Sequence, residues 1–383
     1  MRERSIRILI IIGSLEIGGA EMHLAQILPR LARSGFEIAV HTISGRGALA
    51  DKLEAAGVKV VAPPGVERKK GRGLAQRFGR ATRALLSLIK YYQQWRPDVV
   101  HFFLPEAYLI GALPALFFPR IKRAMSRRSL NNYQFKHRRL AWLERRLHGR
   151  MHALVGNAQA VVDQLKEEGA PADRLHLIRN GVDLARFDVP GEELRGRLGL
   201  PPDTLVLLIV ANLIPYKGHA DLLSALAQAN ASLPPWCLLC AGRDDGIGPT
   251  LQNLAKALGL DGRVYLLGSR DDLPELLHGS DIVLLASHEE GFPNAVIEAM
   301  AAGKPVIGTR VGGVPEAIVD RETGTIVPPH DPPALARALL ALAADPALRA
   351  RMGAAGRARA QSEFGADACV ARYAALYRQL NTP

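Results

Sequence analysis

Short apolar runs and helix-spaced apolar patterns alternate along almost the whole chain. IRILIII, FEIAVHT, VKVVA, DVVHFF, HALVG and RLHLI stand out in the first half, and TLVLLIVA, WCLLCAG, RVYLLG, DIVLLAS, KPVIG and TGTIV in the second. Between them lie segments such as AEMHLAQILPRLARSG and HADLLSALAQAN, whose apolar residues recur at helical spacing. The strand-like runs are continuously apolar rather than alternating, which predicts strands covered on both faces, as in parallel sheets flanked by helices. The chain therefore reads as α/β and doubly wound, with enough units for two sheets in two domains facing across a cleft. A stretch rich in Gly, Pro and charge, RNGVDLARFDVPGEELRGRLGLPPD, puts the crossing between domains around residues 179 to 200. Ligands of such sheets bind beyond the carboxyl ends of the strands, so the loops that follow the apolar runs are where chemistry is expected.

Composition narrows the partners. No apolar run reaches the ~18 residues of a transmembrane helix. The start, MRERSIRILIIIGSLEIGGAE, lacks a small-residue cleavage site and runs straight into a glycine turn, so it reads as a first strand rather than a signal peptide. Three cysteines, an odd number, argue against a disulfide framework and fit a cytoplasmic protein. Cys237 and Cys240 have CxxC spacing, but residues three apart on a strand point to opposite faces, so they read as core cysteines. The net charge of +12 is uneven: seven Lys or Arg fall within residues 68–83 and eleven within 120–150. That asymmetry suggests an anionic partner surface, with solvated basic helices as the alternative. No aromatic stacking platform or recognition motif accompanies the charge, so nucleic acid is not an expected partner.

The most informative stretch is SHEEGFPNAVIEAMAAGKPVIGT, residues 287–309. Gly291 and Pro293 keep Glu290 out of a helix and favour a helix start near Pro293 or Asn294, with a stop at Gly303. Glu298 then lies one turn inside, on roughly the same face as Asn294. The N–H groups of the first turn sit between two carboxylates, an anion site with a hydroxyl acceptor on either side. A sugar–diphosphate–ribose ligand suits that arrangement, while an acidic loop before an ordinary amphipathic helix is the plain alternative.

Other segments offer supporting groups. In SLEIGGAEMHLAQIL, Gly18 and Gly19 follow the first strand and open a helix, where the backbone can approach a ligand. The GxGxxG spacing of a nicotinamide dinucleotide site is absent. In ANLIPYKGHADLL, Lys217 lies between a strand and a helix, so its ammonium can reach an anion. His101 ends the strand DVVHFF and reads equally as a ligand neighbour or a packed strand-end histidine. No Asp-x-Asp pair, zinc-ligand spacing or Ser-His-Asp arrangement occurs, so no metal or bound cofactor is expected.

The 287–309 stretch closely resembles the Glu-x7-Glu signature of the retaining glycosyltransferases of family 4, which have the GT-B fold of two Rossmann-like domains. SLEIGGAE resembles that family's GGAE loop, LIPYKG its Arg-x4-Lys pair with Asn212 in the arginine's place, and RNGVDL its NGVD turn, with Asn180, Gly181 and Asp183. The family often carries a His-x-His pair where this chain has His101 and Phe103. The resemblance implies an acceptor-binding domain over residues 1–179, a nucleotide-sugar domain over 180–363, and a last helix, 364–383, returning to the first. It implies a metal-independent hexosyltransferase that uses a nucleotide-diphosphate sugar, by family habit UDP-linked. It assigns Glu290 to the donor sugar, Glu298 to the ribose, and Lys217, with N–H groups near Gly19 and from Phe292 to Ala295, to the diphosphate. Gly18, Gly291, Asn212 and Asn294 complete the donor site, and His101 is a neighbour of the sugar. LLGSRDDLPELL, like its family counterpart, is expected to form the nucleobase pocket.

The expected acceptor is a glycan or lipid-linked molecule of cell-envelope polysaccharide or glycolipid synthesis, reached by a cytoplasmic protein at the inner face of the membrane. LPALFFPRIKRAM joins an apolar run to cations, as an interfacial contact does, while a buried helix followed by a strand is the alternative. A degenerate sugar-nucleotide-binding scaffold and a sugar-nucleotide epimerase are the competing functions.

Overall fold

A computed structural model describes residues 4–63, 74–130, 134, 137–188 and 194–382, with the backbone alone for 74–78, 80 and 81. The chain divides into two compact units: residues 1–181 joined by 366–383, and residues 182–365. The expected boundaries at 179/180 and 363/364 lie two residues from these.

The first unit is built on a seven-stranded sheet in the order β3-β2-β1-β4-β5-β6-β7. Its strands are β1 (Arg7–Ile12), β2 (Glu37–Thr42), β3 (Lys59–Val61), β4 (Val99–Phe103), β5 (Lys122–Arg127), β6 (Ala153–Gly156) and β7 (Leu175–Leu177). All neighbours are parallel. Strand alternation splits β1 between two cores. Ile8, Ile10 and Ile12 pack with Leu24, Ile27 and Leu28 of the helix Gly19–Arg33 and with Tyr373 and Tyr377 of the last helix. Leu9 and Ile11 face the opposite layer, with Leu88, Tyr92 and Tyr108. The last helix runs from Ala366 to Asn381 and belongs to this unit.

The second unit repeats the plan with six parallel strands in the order β10-β9-β8-β11-β12-β13. They are β8 (Leu205–Val210), β9 (Trp236–Ala241), β10 (Val264–Gly268), β11 (Ile282–Leu285), β12 (Val306–Thr309) and β13 (Gly324–Val327). Cys237 and Cys240 are buried in β9 as free thiols, as their place in an apolar strand implies. In each unit the strand order reverses beside the first strand of its sheet, between β1 and β4 and between β8 and β11. These reversals are the switch points at which doubly wound sheets bind ligands.

β5 is missing from the strand-like runs and enters only in the alternative reading of LPALFFPRIKRAM, because KRAMSR is half cationic. Its charges are resolved internally. Arg127 is 2% exposed and donates to Glu144 and Glu168 at 2.7 Å each, while His148 lies 3.0 Å from Glu168. Arg123 donates to the carbonyls of Arg150, Ala115 and Ile121. These two arginines of the 120–150 cluster therefore serve the fold rather than a surface.

Burial works against the Glu168 charge, but its bonds to His148 and Arg127 outweigh that and hold the carboxyl down to about 2. A depressed carboxylate stabilises the fold above its unfolded value and loses that contribution as pH falls through the folded one. Acid titration of the fold should therefore show a stability loss between about pH 5 and pH 2 that is missing in Glu168→Gln. Arg127→Met, which takes the cation away from two buried carboxylates, should lower unfolding free energy by about 3–5 kcal/mol in a denaturant titration.

Candidate active site

The loops after β8 and β11 flank the switch point of the second unit, and each carries one half of an ion pair. After β8 the chain forms a short 3-10 turn, Pro215–Lys217, and enters the helix His219–Ala229 through Gly218. Gly218 has φ +70°, and a Cβ there would lie 1.9 Å from the carbonyl oxygen of Ala286, so only glycine lets this turn pass against the end of β11. Lys217 Nζ donates to Glu290 Oε1 at 2.6 Å, and Ser287 Oγ donates to the same oxygen at 2.6 Å. The Lys217 and Glu290 side chains are 18% and 11% exposed, so the pair is shielded from the screening that weakens surface ion pairs. A lysine so placed is a mobile cation already at a sheet's ligand edge.

A second contact sets the Glu290 loop. Gly313 N–H donates to Gly291 O at 2.6 Å, tying this loop to the turn after β12. Gly312 has φ +48°, and a Cβ there would come within 1.9 Å of the Glu290 carbonyl oxygen. The loop then turns Phe292 inward, 4% exposed and edge-on to Phe364 at 5.3 Å. Pro293, extended, caps the helix Asn294–Ala301, and Gly303 at φ +70° follows its end. Asn294 and Ala295 open that helix and Glu298 stands one turn in. Glu298 is half-buried, and burial pushes its carboxyl above the ordinary glutamate range, opposed by the charge of Arg186.

Asn212 lies just beyond β8, where its Oδ1 accepts the Arg243 N–H at 3.1 Å. It braces the loops after β8 and β9 and adds no charge. The proposed base segment places Arg270 and Asp272 in an ion pair, just before the helix Leu273–Gly279. Asn180, Gly181 and Asp183 surround the passage between units, and the following turn, Leu184–Phe187, carries Arg186, whose charge acts on Glu298. Ser287 and Arg186 escaped the sequence reading. Ser287 sits three residues before Glu290, a spacing that carries no signal without the fold.

In the first unit, Gly18 and Gly19 sit where the sequence puts them, with Gly18 extended at the start of the helix Gly19–Arg33. His101 requires a correction. It is fully buried on β4, its Nδ1 2.8 Å from Tyr377 Oη and its Nε2 2.8 Å from Ser126 Oγ. Burial, with the charge of Arg128, holds it down to about 3, so it is neutral. Phe103 packs on its ring at 4.5 Å. With both nitrogens engaged inside the core, His101 is the packed strand-end histidine and not a catalytic group. Two residues missed by the sequence reading lie close by. Arg128, just past β5, has Nε and Nη1 buried without an acceptor among the described residues, and both nitrogens of His23 are likewise unsatisfied. The arginine charge lowers the basicity of both His23 and His101, which places all three in one neighbourhood. No carboxylate among the described residues pairs with this guanidinium.

Of the basic clusters, Arg68, Lys69, Lys70, Arg72 and Lys136, and the side chains of Arg77 and Arg80, lie outside the described residues. LPALFFPRIKRAM is the end of a buried helix, Leu104–Ala115, followed by β5, but Phe117 between them is 85% exposed. The helix Arg138–His148 exposes Leu140 and Trp142, with Arg146 5.1 Å over the Trp142 ring. No helix among the described residues is long and apolar enough to cross a membrane. Among those residues, two clusters have the composition of metal ligands: Glu144, His148 and Glu168, already neutralised by Arg127, and Asp221, His288 and His330.

Comparison with known proteins defines the class. The model for glycosyl transferases group 1 matches residues 191–359, and that for Glycosyltransferase Family 4 matches residues 17–186. The chain belongs to the family 4 glycosyltransferases. A D-inositol 3-phosphate glycosyltransferase of Corynebacterium diphtheriae is 29% identical over 90% of this chain and 86% of its own length. One from Corynebacterium efficiens is 32% identical over 60% of this chain. The matched region spans 56% of that relative's length and 54% of a similar one from Streptomyces bingchenggensis. Among solved structures, HepE of Anabaena in complex with UDP and glucose aligns with a TM-score of 0.83 at 24% identity, over 98% of this chain and 100% of that one. WaaG, a glycosyltransferase involved in lipopolysaccharide biosynthesis, aligns with a TM-score of 0.77 at 19% identity, over 97% and 99%. These likenesses establish the GT-B fold, two α/β Rossmann-like domains.

The Gly312 contact yields a test. Gly312→Ala strains a left-handed backbone and pushes on the Glu290 carbonyl. It should lower the melting temperature by a few degrees but cut glycosyl-transfer turnover by about tenfold or more, a barrier change of about 1.4 kcal/mol. Wild-type turnover in this variant would show that the Glu290 loop is not held from Gly312.

Proposed function

We infer that this chain is a retaining glycosyltransferase that moves a sugar from a UDP-linked donor to an anionic, lipid-linked or glycan acceptor in cell-envelope polysaccharide or glycolipid synthesis. The observation that carries the reading is the shielded contact of Lys217 Nζ with Glu290 Oε1 at 2.6 Å, at the switch point of the second sheet. HepE holds UDP in one structure and UDP-glucose in another, which supports a uridine donor here. In this reading Lys217 leaves Glu290 for the diphosphate, joined by N–H groups at the start of the helix Asn294–Ala301. Glu290, released, accepts hydroxyls of the donor sugar, and Glu298 accepts the ribose hydroxyls. The acceptor oxygen then attacks the anomeric carbon on the face that the diphosphate leaves. The bond from that carbon to the phosphate oxygen breaks, and the acceptor's proton passes to the departing phosphate. The protein's work is to hold both substrates and to stabilise the leaving charge, with no carboxylate nucleophile and no metal in the reaction.

Glu298→Ala should weaken UDP binding, and Glu290→Ala should chiefly lower turnover. Calorimetric titration with UDP, alongside turnover with UDP-sugars, separates the two. Because burial raises the Glu298 carboxyl, it regains its proton at a higher pH than a free glutamate. UDP affinity should therefore fall on acidification from above the usual glutamate range, and Glu298→Gln should flatten that part of the profile. A pH profile identical in the variant removes the ribose role.

The acceptor assignment rests on Arg128, a partly buried guanidinium without a carboxylate partner among the described residues. An uncompensated cation favours an anion beside it, and the curated relatives are named for D-inositol 3-phosphate. Arg128→Ala should raise the acceptor KM at least about tenfold, one charge-assisted hydrogen bond's worth, and leave UDP affinity unchanged. Exposed Phe117 and Trp142 beside arginines support contact with an anionic lipid surface.

A degenerate sugar-nucleotide-binding protein is the second reading, favoured by the uncharged Asn212 and the core position of His101. Donor hydrolysis or transfer by the purified protein, across UDP-, GDP-, ADP- and dTDP-sugars, decides between them.

A further inference from the structure

Asp221, His288 and His330 come from three separate segments of the second unit. Asp221 is in the first turn of the helix His219–Ala229, His288 in the loop after β11, and His330 in the loop between β13 and the helix Pro332–Ala344. His288 Nε2 lies 2.8 Å from Asp221 Oδ2, and His330 Nδ1 lies 3.7 Å from that same oxygen. The two imidazole rings stand 3.6 Å apart, centroid to centroid, and one ligand atom from each residue fits within 4.8 Å of the others.

Hydrogen bonding alone explains only half of this. His288 is within bonding distance of the carboxylate, but 3.7 Å is too long for His330 to donate to it. His330 nevertheless holds its position with φ +57°, a left-handed backbone that costs a non-glycine residue of order 1–3 kcal/mol and marks a functional or closely constrained site. Metal–ligand bonds of ~2.0–2.2 Å in tetrahedral geometry separate ligand atoms by ~3.4 Å. That separation falls between the two distances to Asp221 and within the 4.8 Å that spans all three ligand atoms, so small rotations of partly exposed side chains complete the geometry. The Asp221, His288 and His330 side chains are 28%, 22% and 65% exposed, which leaves an entry path and a position for water.

We propose that Asp221, His288 and His330 form a site for a divalent transition metal of the zinc type, outside the groups assigned to donor chemistry. Two imidazoles and one carboxylate select Zn2+ or a similar borderline ion over Mg2+, which demands an oxygen shell. The ion joins the segments that carry the central ion pair. His288 is two residues before Glu290 and its N–H donates to Tyr216 O at 2.7 Å, while Asp221 follows Lys217 by four residues. Metal binding at this point ties the Glu290 loop to the start of the helix after Lys217.

The test uses untagged full-length protein, stripped with a chelator and titrated with Zn2+ against a chromophoric competitor, then separately with Co2+ followed by visible absorption. One Zn2+ per chain and the intense absorption of low-coordinate Co2+ are expected. His330→Ala, at an exposed position, and Asp221→Asn, which keeps the side chain's shape, should each weaken Zn2+ binding by about 100-fold or more, beyond what outer-shell changes cost. Both spectra should lose the Co2+ bands. Excess Mg2+ should leave the Zn2+ isotherm in place. Wild-type binding no tighter than that of the two variants overturns the proposal, as does equal competition by Mg2+.

Discussion

The bond from Lys217 to Glu290 organises the second unit's ligand edge. It joins residues 73 apart in sequence across the point where the strand order reverses. Each partner is delivered by a loop that glycine alone permits, Gly218 under the end of β11 and Gly312 against the Glu290 carbonyl. Because Ser287 shares the same carboxylate oxygen, the cation is held without being neutralised in isolation. An anion that attracts Lys217 leaves Glu290 with a hydrogen bond from Ser287 and a capacity to accept from hydroxyls. In the proposed reading, one contact thus couples the recognition of charge to the recognition of sugar.

The two units use the same sheet plan for different electrostatic ends. In the second, the switch point is lined by an exchangeable ion pair and by a carboxylate that burial keeps hungry for donors. In the first, the corresponding strand β4 ends in a sealed aromatic cluster around a neutral histidine, and Arg128, one strand further along, has no carboxylate partner among the described residues. The buried network of Arg127 with Glu144 and Glu168 in the first unit is by contrast bonded internally.

Much of this was legible in the residues. Continuous apolar runs marked twelve of the thirteen strands, and the Gly-Phe-Pro-Asn insert placed the start of the helix at Asn294. β5 was hidden because Lys122, Arg123 and Arg127 break the apolar pattern that periodicity relies on. The partners of the buried Arg127 are carboxylates 17 and 41 residues away, and no local rule reports them. His101 misled for the opposite reason. A polar residue at a strand end suggests a ligand edge, but Tyr377, from the far end of the chain, covers it. The roles of Ser287 and Arg186 depend on side-chain direction, which sequence spacing does not encode.

The last helix, Ala366–Asn381, has a consequence for how the chain matures. Its tyrosines complete one face of the first sheet, so residues 1–181 leave the ribosome with that face of β1 covered only in part, by the helix Gly19–Arg33. The second unit is one uninterrupted segment and has all of its core in hand by residue 365. During synthesis, from N-terminus to C-terminus, the half made second has its whole core first, and the half made first waits for residues 366–381. A chain lacking residues 366–381 loses part of the cover of the unit that was made first.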